Sequence, residues 1–78
     1  MSLRKQWRTL DRTTVGRAPE RWGVYELGDD EGDVLAVGSG VLKDELKNAL
    51  AYGDAAKVRW TETTTRERAR ELEAEHQE

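Results

Sequence analysis

The chain has 78 residues, a net charge of −3 and no cysteine. That length supports one domain with a thin core, since a chain of this size buries only about 60% of its extended-state surface. The composition excludes disulfides, thiolate metal sites and cysteine nucleophiles, and no uncharged apolar run approaches the ~20 residues of a membrane helix.

The N-terminal stretch Met1-Ser2-Leu3-Arg4-Lys5-Gln6 has no apolar h-region, so no signal peptide is expected. The expectation is a soluble, cytoplasmic protein with no membrane association. Charge is unevenly spread: residues 1–21 carry +4, residues 22–56 carry −6 and residues 57–78 carry −1. A basic arm over residues 1–19 is therefore followed by an acidic domain over residues 20–78. Such an arm either touches phosphates or pairs with the acidic body.

Leu3, Trp7 and Leu10 recur at i, i+4 and i+7, which predicts a helix over residues 2–12. On it, Arg4, Arg8 and Arg12 would form an adjacent stripe, the candidate nucleic-acid-binding residues. Two or three turns are marginal alone, so the segment must dock or fray. Thr13 to Glu20 contains Gly16 and Pro19 and reads as a connector.

Gly23-Val24-Tyr25-Glu26-Leu27 predicts a strand, and Gly28-Asp29-Asp30-Glu31-Gly32 a polar loop. The apolar run Asp33-Val34-Leu35-Ala36-Val37 predicts a second strand buried on both faces. Strands this close pair most simply as an antiparallel hairpin. Gly38-Ser39-Gly40 is expected to break the second strand. Leu42, Leu46, Ala49 and Leu50 then mark a helix from about Val41, with Gly53 as its C-terminal cap. Ala56 to Thr61 predicts a third strand with Val58 and Trp60 on its buried face. Thr64-Thr65-Arg66-Glu67 matches a capping box with Thr64 as N-cap, opening a helix that runs almost to the end. The reading is an α+β domain of order β-β-α-β-α. A three-stranded antiparallel sheet is flanked by helices and preceded by the N-terminal arm.

The hairpin carries Gly23-Val24-Tyr25 on one strand and Ala36-Val37-Gly38 on the next. Ser39-Gly40, a Leu-rich helix, a strand and a capped helix follow. This ordered set resembles the GIY-YIG nuclease superfamily over roughly residues 20–76. The resemblance implies phosphodiester cleavage with Mg²⁺ as cofactor. It makes Tyr25 the tyrosine that helps activate water and Glu73 the metal-binding glutamate, the two candidate catalytic residues. It also puts Ala36 where the family has a second tyrosine and Glu45 nearest the family's phosphate-neutralising arginine. The family's asparagine beyond the last helix has no counterpart. Phosphoryl transfer depends mainly on positioning and positive charge, so Glu45 would repel the substrate.

Plain structural readings stand beside these. Tyr25 suits a strand, and Glu73 is one of several glutamates on a solvated helix. His76, the lone histidine, reads as a surface residue. Asp29, Asp30, Glu31 and Asp33 lack calcium-loop spacing and read as a solvated turn. Trp7, Trp22 and Trp60 could stack on bases, but a small core needs them for packing. The favoured expectation is a catalytically inactive binding or interaction module. The alternatives are a metal-dependent DNA endonuclease with a rearranged site, and a nucleic-acid-binding protein acting through its arm. The partner stays open between DNA and another protein, and nothing demands a homodimer.

Overall fold

Backbone pairing, not helical periodicity, decides the N-terminal segment. The computed structural model describes residues 6–76, and there Arg8–Thr9 forms a short strand, β1. Arg8 pairs with Val58 and Thr9 with Lys57, and the Leu10 N–H donates to the Ala56 carbonyl at 2.9 Å. The predicted helix over residues 2–12 is therefore wrong over residues 6–11; Leu3 and Arg4 lie outside the described residues. A short isolated helix is marginal, whereas the strand Lys57–Glu62 offers ready backbone partners. The expected connector instead holds a helix, α1, Arg12–Arg17. Asp11 caps it by accepting the Thr14 N–H at 2.8 Å.

The predicted β-β-α-β-α order follows: β2 Trp22–Gly28, β3 Val34–Val41, α2 Leu42–Tyr52, β4 Lys57–Glu62 and α3 Arg66–His76. The sheet has four strands, not three, because β1 joins it; the order is β1-β4-β2-β3, with every pairing antiparallel. β3 thus lies at an edge. Val34 and Leu35 are 43% and 55% exposed, so their apolar run is not buried on both faces as expected. Nor does β3 stop at the glycines: it continues through Gly38-Ser39-Gly40 to Val41, and α2 starts at the next residue. Gly53 ends α2 as predicted, donating its N–H to the Ala49 carbonyl at 3.0 Å. The cap of α3 is shifted by one residue, since Thr65 Oγ1, not Thr64, accepts the Arg68 N–H.

Side chains alternate across each strand, and the register sorts them onto two faces. One face carries Tyr25, Leu27, Val58 and Trp60, packed with Leu10, Val15, Ala18 and Leu46 into the main core. This is the side of α1 and α2. The other face carries Val24, Glu26, Ser39 and Arg59, and Ser39 bonds to Glu73 on α3. Glu26 is buried there, accepting from Arg59 Nε at 2.6 Å. The Arg59 guanidinium lies 4.1 Å from the Trp7 ring centre. Among the described residues, no helix is long and apolar enough to cross a membrane.

Candidate functional site

An open groove of about 860 Å³ runs across the β3 edge, lined by Ser39, Glu45, Arg66, Arg70 and Glu73, with Trp22 at one side. It forms because β3 leads into α2 without a loop, so the first turn of α2 and the face of α3 meet over Ser39–Val41. Gly40 has φ +153° and Glu45 folds over it, its Oε1 2.5 Å from where a Cβ would stand. No side chain fits there without displacing that carboxylate.

Tyr25 comes from beneath this groove. It pairs with Gly38 across the hairpin, and a Cβ on Gly38 would overlap the phenol oxygen. Burial, then the charge of Glu45, then that of Glu73 push the Tyr25 hydroxyl above the ordinary tyrosine value. All three causes disfavour the phenolate. Glu73 accepts from the Ser39 hydroxyl through Oε1. Tyr25, Glu45 and Glu73 are thus brought together, although Tyr25 lies on the α2 face of the sheet and Glu73 on the helix covering the other. Ala36 pairs with Leu27 and is exposed, so position 36 adds no phenol to the site.

Arg66 and Arg70 are the groove residues that sequence reasoning missed. Their signal was available: Arg66, Arg70 and Glu73 fall at i, i+4 and i+7, one helix face. Arg66 lies 5.6 Å from the Trp22 ring centre. These two cations meet the three carboxylates of Asp44, Glu45 and Glu73. Glu45 and Glu73, which act on one phenol, are the residues that would hold a divalent cation, with waters completing its shell. Arg66 and Arg70 oppose that charge.

The other candidates lie elsewhere. Asp29, Glu31 and Asp33 do bring their carboxylates within 4.8 Å of one another. Yet Asp29 Oδ1 already accepts the N–H groups of Glu31 and Asp33, both at 2.9 Å, which is how such a turn holds itself. Arg8 and Arg12 do not form a helical stripe, since Arg8 is on a strand and Arg12 opens α1. Arg8 lies 4.9 Å from the Trp60 ring centre. Trp7, Trp22 and Trp60 each carry an arginine on a face. The His76 side chain is outside what the structure describes.

A family model described as a domain of unknown function, DUF7508, matches residues 1–78, and the chain belongs to that family. No curated protein matches it.

Proposed function

We propose that this member of the DUF7508 family is a GIY-YIG-like scaffold that does not cleave phosphodiesters and acts as a binding or interaction module. The carrying observation is Glu45, whose carboxylate folds over Gly40 in the groove. Burial, Glu45 and Glu73 also raise the Tyr25 hydroxyl above the ordinary tyrosine value, which works against its passing a proton on. In support, the two tripeptides meet end to end across the hairpin, where Tyr25 pairs with Gly38. The groove lacks a second tyrosine and presents Glu45 where positive charge would serve a phosphate.

A second reading, a metal-dependent DNA endonuclease with a rearranged site, draws on Arg66 and Arg70. They bring positive charge to the groove beside Glu73. A supercoiled-plasmid assay with Mg²⁺ or Mn²⁺ separates the two. The module reading expects no nicking above the buffer control. Metal-dependent nicking that disappears in Glu73→Gln would overturn it in favour of the nuclease.

A further inference from the structure

Two grooves of about 460 Å³ each share α1 as a wall. One is lined by Trp7, Arg8, Arg17, Arg59 and Trp60. The other is lined by Arg12, Lys43, Lys47 and Leu50, with Gly16 and Ala51. No carboxylate lines either one. That is notable in a chain of net charge −3. Arg59 is neutralised by Glu26. Among the described residues, Arg8, Arg12, Arg17, Lys43 and Lys47 take part in no ion pair. Five positive charges therefore flank one short helix, on both of its sides.

We infer that this face binds the phosphate backbone of duplex DNA, with α1 laid along the major groove and the cations on the phosphates at either side. The surface is separate from the Tyr25 groove and does not depend on the reading given for it. Three observations favour a duplex over other polyanions. An α-helix with its side chains is about 10–12 Å across, which matches a B-form major groove of about 12 Å. The exposed residues of α1 are Arg12, Thr13, Gly16 and Arg17, so small residues lie between the cations, and the exposed Asp11 carboxylate at the N-cap is engaged by the Thr14 N–H and the charge of Arg17. Arg59 already covers Trp7 and Arg8 already covers Trp60. Neither ring is set up to stack an unpaired base, as single-strand binding needs. A-form RNA is disfavoured because its major groove is too narrow and deep to enter. The affinity expected from these cations is largely sequence-independent, because phosphate contacts carry no sequence information.

The test is fluorescence anisotropy with a labelled mixed-sequence DNA duplex of about 20 base pairs, from 25 to 200 mM salt. Five phosphate contacts predict a slope of about −4.5 in log K against log salt. Lys43→Gln/Lys47→Gln and Arg12→Gln/Arg17→Gln each lower the steepness by about two. Circular dichroism confirms that each stays folded. Arg68→Gln, an exposed cation on α3, leaves the slope unchanged. The proposal is overturned by no binding at 25 mM salt, or by a slope that neither double variant alters. Tighter binding to single-stranded DNA, to duplex RNA or to vesicles of one-third phosphatidylserine overturns it equally.

Discussion

The buried pair Glu26–Arg59 sets the largest single-residue sensitivity expected of this fold. The two side chains are 2% and 14% exposed and meet at 2.6 Å, so solvent screens them little. Arg59→Met leaves the Glu26 carboxylate buried without its guanidinium, a loss of about 3–5 kcal/mol when one partner of such a pair is removed. The cation–π contact to Trp7 goes with it, another ~0.5–1 kcal/mol. Against a stability of roughly 4–12 kcal/mol for a chain this long, a loss near 3 kcal/mol is decisive. It corresponds to a fall in Tm of about 12–24 °C. Thermal unfolding followed by circular dichroism measures it. The companion Glu26→Leu/Arg59→Met removes both charges and is expected to recover most of the loss, because matched apolar replacements of buried pairs are often neutral. A single variant within ~0.5 kcal/mol of the parent, or a double variant no better than the single, would refute the assignment of this pair as a buried, mutually dependent unit.

Three further outcomes follow from the same geometry. Tyr25 should ionise above the ordinary tyrosine value, and Glu45→Gln should bring it down, read from its ring carbon shift by NMR; a titration indifferent to Glu45 contradicts the charge placement. Because that pKa is raised, the associated stability is present at neutral pH and is lost as pH climbs past ~10. Gly38→Ala should destabilise by about 1–3 kcal/mol through overlap with the Tyr25 ring, and a urea midpoint equal to the parent's would count against the packing. The Asp11 carboxyl is held below its usual range, chiefly by the Thr14 N–H. Its contribution is therefore present above the ordinary carboxylate range and lost as pH falls through the lowered value. Asp11→Ala should lower Tm at pH 7 and converge with the parent in acid; equal Tm values at pH 7 would exclude the cap.

The hairpin, α2, β4 and α3 were legible because local signals agreed there: alternation, a polar turn, helical periodicity and a capping Thr. The N-terminal segment was not. Leu3, Trp7 and Leu10 fit a helix, but β4 offers Arg8 and Thr9 a backbone partner nearly fifty residues away, which no local pattern reports. Burial of Val34 and Leu35 failed for a related reason. An apolar run says that a strand can be covered, and only the strand order places this one at the edge. At the site, Tyr25, Glu45 and Glu73 were named from sequence, yet their grouping depends on β3 passing without a loop into α2. Arg66 and Arg70 stood on the same helix face as Glu73, but charged residues on a polar helix draw no notice until a groove faces them.

On the proposed reading, Tyr25 and Gly38 contribute packing in place of chemistry. The phenol ring occupies the space that a Cβ on Gly38 would need, so each residue restricts the other through packing alone. Ala36 is exposed and carries no such restriction, and Glu45 fills the space beside Gly40 with the flexible end of its side chain. On that reading, the tyrosine and the glycine serve stability. If that is the whole reason for Tyr25, its ring matters and its hydroxyl does not. Tyr25→Phe should then stay within ~0.5 kcal/mol of the parent, whereas Tyr25→Ala should cost about 2–3 kcal/mol as a partly buried aromatic lost from the core. Equilibrium urea unfolding reads both. A Tyr25→Phe loss as large as that of Tyr25→Ala would show that the hydroxyl itself is held by the fold. The persistence of the tyrosine would then need an explanation in polar chemistry rather than packing.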